Sequence, residues 1–334
     1  MLDFFGNMWS FVSAHLLFFV IGSIFVSNAT FSVLLKESNN ESRGRPQKFL
    51  FTMLCAFGIS IIGATLLNVF FTNAVIKVDA LALFTGLGIL NALAAYSEWK
   101  ATEISLSKKG LFSFWGSLLA MALAYQYLGE GKQMTGDQLV GIALSVAAAV
   151  LFAVHEFYKQ HRQEDPEQGM QDKRRITLSF YAFVLAFNLI WGIATFLSKK
   201  YSQEGVPVET WILGWYGGSV IGALIIVCGI RLHDRKHNRL QAVTSLSSKE
   251  VLMTLAMAVF MVGWVFGFYF LYSIYPLMVL QSLLLVIGMI NSLWIGLVMY
   301  KERRKIDRIQ ALLYVLALIG GILVARGLYL TGKS

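Results

Sequence analysis

Ten apolar runs of roughly 20 residues each decide what this chain can fold into. They lie at about 11–34, 49–72, 79–98, 109–128, 136–157, 177–198, 210–230, 250–272, 277–299 and 309–329. A run of that length matches the hydrocarbon core of a bilayer, where every backbone N–H and C=O must be satisfied within the protein. Only α-helices or closed β-barrels meet that demand. The runs show no apolar–polar alternation and are too long for barrel strands, so each is read as a helix. Charged residues make up 14% of the 334, too few for a soluble domain, against 57% hydrophobic ones. The expected class is an all-α polytopic membrane protein with ten transmembrane helices. The first ten residues carry no Lys or Arg, so no cleavable leader is expected. Cys55 and Cys228 both fall inside apolar runs, which argues against a disulfide or a structural zinc site.

The net charge of +9 suggests nucleic acid until its placement is considered. Of the 28 Lys and Arg, all but Lys77, Lys132, Lys199, Lys200, Arg326 and Lys333 fall in connectors on one face of the predicted bundle. Basic residues collect on the cytoplasmic side of membrane proteins. They are therefore read as topological anchors with some affinity for anionic headgroups. Both termini are then expected outside the cytoplasm.

The chain also repeats itself weakly. The hinge Leu128-Gly129-Glu130 is followed by Gln138, eight residues after the Glu. Near the C-terminus Tyr300-Lys301-Glu302 is followed by Gln310 at the same interval. The two pairs are related by one constant shift, and Ala29-Thr30-Phe31 is echoed by Ala194-Thr195-Phe196. Two halves of five helices each, 11–157 and 177–329 with a cytoplasmic linker at 158–176, must enter the membrane from opposite sides. This 5+5 inverted-topology repeat is a construction common in secondary transporters, with the substrate site near the midplane between the halves.

In several features the chain resembles the EamA-type drug/metabolite transporter superfamily. These are the Leu-Gly-Glu hinge at 128–130 with Gly141, Trp191-Gly192 with Ser198-Lys199-Lys200, and Glu302 with Gly320-Gly321. The resemblance runs over about residues 11–329. It implies ten helices, alternating access around a central cavity, and a small organic substrate that is often exported. Three features depart from the family pattern. Its familiar members keep both termini in the cytoplasm. A Pro common in their fourth helix is absent here, where Ser113, Phe114 and Trp115 stand. The second hinge has Lys301 where the first has Gly129.

No P-loop, GxSxG elbow, HExxH or Cys/His cluster occurs, so no cofactor or metal is expected and ATP hydrolysis by this chain is not. Intramembrane ionisable residues mark function by default. Only His15, Glu98 and Glu103 qualify as gate or coupling candidates, and each sits toward one interface, where a solvated turn or a helix–helix contact is the plainer reading. Glu130 and Glu302, at helix ends, read as caps or hinge packing. The neutral polar and aromatic residues near mid-span are Asn28, Asn91, Trp115, Asn188, Trp191, Trp264, Tyr269, Gln281 and Asn291. Singly each can be interhelical glue or an interfacial ring; as a set they point to a pocket for a neutral or zwitterionic organic molecule. The expected function is secondary transport of small organic metabolites or drugs, as exporter or exchanger, with weak dependence on a proton gradient. The alternative is a polytopic membrane enzyme acting on lipid-linked substrates. The expected partners are a small-molecule substrate and the lipid bilayer, not nucleic acid, with the chain acting as a monomer or homodimer in a bacterial cytoplasmic membrane.

Overall fold

The structure, a computed structural model, describes residues 16–42, 46–130, 135–162, 169–236, 246–302 and 306–331. These form ten long helical segments and, among the described residues, no strand. They are α1 (Leu16–Ser42), α2 (Pro46–Leu67), α3 (Val78–Ile104), α4 (Leu106–Leu128), α5 (Gly136–Arg162), α6 (Gly169–Gln203), α7 (Val208–Lys236), α8 (Ser248–Ile274), α9 (Leu277–Trp294) and α10 (Arg308–Thr331). α4 consists of two α-helical pieces, Leu106–Phe112 and Phe114–Leu123, and a final π-turn, Ala124–Leu128; α2 and α9 also end in π-turns, Asn68–Thr72 and Ile295–Met299. Eight of the helices, α2 to α9, are long and apolar enough to cross a membrane, while the apolar part of α10 is Arg308–Val324. Large apolar side chains such as Ile62, Leu66, Leu151, Leu185, Ile225, Leu252 and Leu312 point outward, as a hydrocarbon solvent favours and water does not. The chain is a multi-pass membrane protein.

Capping chemistry sets several helix ends. Ser247 and Glu250 form a reciprocal capping box at the start of α8. α8 stops before Pro276, which disfavours helix at the residue ahead of it. At the start of α5 the Thr135 N–H donates to Gln138 Oε1 and the Gln138 N–H to Thr135 Oγ1. The start of α10 repeats this: the Asp307 N–H donates to Gln310 Oε1 and the Gln310 N–H to Asp307 Oδ1. The repeated Gln residues are thus cap residues. The hinges match as well, since Gly129 and Lys301 both adopt positive φ, 66° and 54°.

Helices extend beyond the apolar runs. α5 continues to Arg162 and α6 starts at Gly169, so most of the stretch expected to be linker, 158–176, is helix. The polar residues at 158–162 and 169–176 form helical turns that project past the apolar zone.

Contacts sort the helix ends into two groups. At one end lie the Lys36–Glu302, Lys108–Glu156 and Lys159–Asp307 pairs. At the other lie Lys199–Glu130, Arg326–Asp137 and the bond from Lys77 Nζ to Gly205 O. The first is called the basic end below. The packing between residues 16–162 and 169–331 is itself paired. α3 packs on α6 as α8 packs on α1; α4 on α6 as α9 on α1; α3 on α7 as α8 on α2. α2–α7, α4–α9 and α5–α10 also pack together. The closest approach is α3 on α7, where a Cβ on Gly88 would lie 2.1 Å from Trp215 O and one on Gly218 2.0 Å from Thr85 O. Only glycine lets these backbones meet.

Candidate functional site

The principal cavity, of about 200 Å³, is lined by residues of both halves. α1 contributes Ser27, Asn28 and Ser32; α3 contributes Asn91, Glu98 and Trp99; α4 contributes Lys109, Ser113, Gly116 and Ser117. α6 adds Phe187, Asn188, Trp191 and Thr195, α7 adds Trp215 and Tyr216, α8 adds Phe260, Trp264 and Tyr272, and α9 adds Gln281 and Ser292. The walls are thus aromatic with polar groups set among them, the usual make-up of a small-molecule pocket.

Of the residues singled out in the sequence, Asn28, Asn91, Asn188, Trp191, Trp264 and Gln281 line this cavity. Three others do not. Tyr269 faces a smaller adjoining recess shared with Trp191 and Trp264, and its hydroxyl donates to Val206 O at 2.8 Å. Asn291 is buried behind Asn28, with Nδ2 donating to Phe25 O at 3.0 Å and to Asn28 Oδ1 at 3.3 Å. Trp115 packs against the apolar cluster around Phe112, Phe152 and Phe180.

Hydrogen bonding separates the lining residues further. Asn188 is already engaged: Oδ1 accepts from the Gly116 N–H at 2.9 Å and Nδ2 donates to Val184 O. It pins the α4–α6 crossing. Gln281 Nε2 donates to Tyr272 OH at 3.1 Å. Asn91 donates to Ser219 Oγ at 2.9 Å, but its Oδ1 has no partner, and neither do Trp191 Nε1 and Tyr216 OH. A buried polar atom without a partner costs about 1–3 kcal/mol. Their residues all line the cavity, but the three atoms themselves are enclosed within its wall.

Charge at the cavity corrects the sequence reading. Glu98 is not an interfacial solvated residue: α3 continues to Ile104, and Glu98 pairs in the cavity wall with Lys109 of α4. The Lys109 ammonium also lies 5.5 Å from the Phe187 ring centroid, a cation–π distance. Lys109 drew no notice in the sequence because it reads as one more basic anchor beside Lys108. Glu103 remains outside, exposed and paired with Lys100 at 2.9 Å. His15 lies outside the described residues.

Two further clusters flank the cavity, one at each end of the bundle. At the basic end Glu302 accepts from the Leu106 N–H at 3.1 Å and the Ser107 N–H at 2.9 Å, the first two amides of α4. It also accepts from Ser105 Oγ and Ser107 Oγ, and Lys36 lies 3.3 Å away with its Nζ donating to Thr102 O. At the other end Glu130 accepts from the Leu277 and Met278 N–H groups at 2.7 and 3.4 Å, the first two amides of α9. Lys199 lies 3.5 Å from Glu130 and donates to Tyr272 O and Tyr275 O. A carboxylate at a helix N-terminus meets both free N–H groups and the positive end of the dipole. Each hinge therefore caps a helix of the other half, and a buried Lys secures it. Burial raises the Glu302 pKa, but the Ser107 and Leu106 bonds and Lys36 outweigh it and hold the carboxyl below its ordinary value. Asp307, at the same end, is held low in the same way: the Gln310 N–H, His155 and Lys159 overcome its partial desolvation.

No family model and no curated protein matches the sequence. Among solved structures, one titled only "Crystal structure of protein" is similar, with a TM-score of 0.55 at 14% identity over 91% of this chain and 97% of that one. That likeness concerns the fold alone.

Proposed function

We propose that this chain is a secondary transporter of small organic metabolites or drugs. Two inverted five-helix halves give alternating access to the central cavity. The observation that carries the reading is the reciprocal pair of caps, Glu130 on α9 and Glu302 on α4, placed at opposite ends of a cavity lined from both halves. The paired helix contacts and the twin Thr135/Gln138 and Asp307/Gln310 caps support two equivalent halves related by inversion. In such an arrangement opening one end breaks one cap while the other holds, which is rocking of one repeat against the other. The EamA-like features of the sequence fit the same reading. The basic end faces the cytoplasm on the positive-inside rule, with both termini on the opposite side.

The test is solute counterflow in proteoliposomes. The expected result is saturable exchange of unmodified solute, changed little by an imposed pH difference and reduced by Asn91→Leu. Chemical conversion of the solute without exchange favours the membrane-enzyme reading instead.

A further inference from the structure

Glu98 and Lys109 are, among the described residues, the only charged side chains lining the cavity. They sit on different helices, α3 and α4, and pair with each other. Lys109 is 9% exposed in its side chain and Glu98 14%. The surrounding wall holds Trp99, Trp191, Trp215, Trp264 and Phe187 and offers little dielectric screening. The charged wall is therefore neutral in sum, with its two poles side by side. A solute of net charge entering it brings a charge that nothing compensates, and desolvation then disfavours it. A neutral solute brings none. A zwitterion can set its cation against Glu98 and its anion against Lys109, replacing one pair with two.

We propose that the Glu98–Lys109 pair fixes the net charge of the accepted solute at zero, with a zwitterion or an uncharged polar head on an apolar body as the class admitted. This rests on the reading that solute binds in this cavity. The aromatic walls hold the apolar body. Specificity of this kind works by exclusion: the pair attracts no charge strongly but rejects an unbalanced one.

The experiment uses four probes that share a phenylpropyl body: 3-phenylpropanol, phenylalanine, 3-phenylpropylamine and 3-phenylpropionate. Binding to the full chain in detergent is followed by tryptophan fluorescence. The wild type is expected to bind the alcohol and the zwitterion at least about tenfold more tightly than the amine and the acid. Glu98→Gln leaves Lys109 alone and shifts the preference to the acid; Lys109→Gln shifts it to the amine. The double variant Glu98→Gln/Lys109→Gln strands no charge and guards against misfolding of the single ones. It is expected to keep the alcohol and to lose the advantage of the zwitterion over it. Binding of no probe, equal binding of all four, or one order shared by the wild type and both single variants overturns the proposal. Binding in the expected charge order by a protein that exchanges no solute keeps the inference and refutes the transport reading. Exchange without the charge order does the reverse.

Discussion

Replacing Glu302 by Gln tests how the two halves are held together. The carboxylate receives two backbone N–H groups of α4, two serine hydroxyls and the Lys36 ammonium, and its side chain is 10% exposed. Gln fills the same space but cannot accept all of these bonds, and it strands Lys36 with Thr102 O as its other acceptor. Breaking one side of a buried pair costs about 3–5 kcal/mol. Adding Lys36→Met removes the stranded ammonium, so part of that loss returns, with a coupling energy of about 2 kcal/mol. Unfolding in mixed micelles of increasing denaturing-detergent fraction measures all four corners of the cycle. Glu130→Gln with Lys199→Met is expected to give a coupling of the same sign at the other end. Additive losses in both cycles refute the reasoning, because they mean that the Lys residues do not sense the carboxylates.

Three more outcomes follow from the same geometry. Lys301→Gly is expected to stabilise the protein by roughly 1 kcal/mol, and Gly129→Lys to destabilise it by a similar amount, because both positions have positive φ; thermal melting in detergent checks both. Gly88→Ala drives a Cβ into Trp215 O, so α3 and α7 separate at a cost of about 1–3 kcal/mol or more, seen as loss of a monodisperse peak in size exclusion. The third concerns acid. The Glu302 pKa is depressed on folding, so its contribution is present above the ordinary carboxyl value of about 4.3 and disappears as pH falls through the lower folded value. The melting gap between wild type and Glu302→Gln should therefore persist from neutral pH to about pH 5 and close in stronger acid. A gap independent of pH contradicts the assignment.

The helices were legible because a bilayer interior admits few alternatives, and long apolar runs leave little choice of conformation. The twin Glu and Gln residues were legible because polar matches at one shift are rare in so apolar a chain. What each Glu caps was not, since its partner helix lies in the other half. The turns at 158–162 and 169–176 read as linker because helix projecting past the apolar zone has a loop-like composition. Asn28 and Asn188 face the cavity while Asn291 packs behind it, and their sequence settings are alike; orientation is set by neighbouring helices. The Glu98–Lys109 pair escaped notice for a similar reason. Each residue alone looks interfacial, and only the tight turn at Ser105 sets the first turns of α4 beside the end of α3.

Access to the cavity from alternate ends is the central claim, and one labelling experiment addresses it directly. Ser117, which lines the cavity on α4, is replaced by Cys in a chain whose Cys55 and Cys228 are replaced by Ala. A membrane-impermeant thiol reagent is then applied from each side of oriented vesicles. Glu302→Gln is expected to raise labelling from the basic end alone, and Glu130→Gln from the opposite end alone. Increased labelling from the same side in both variants, or from neither side, contradicts the account.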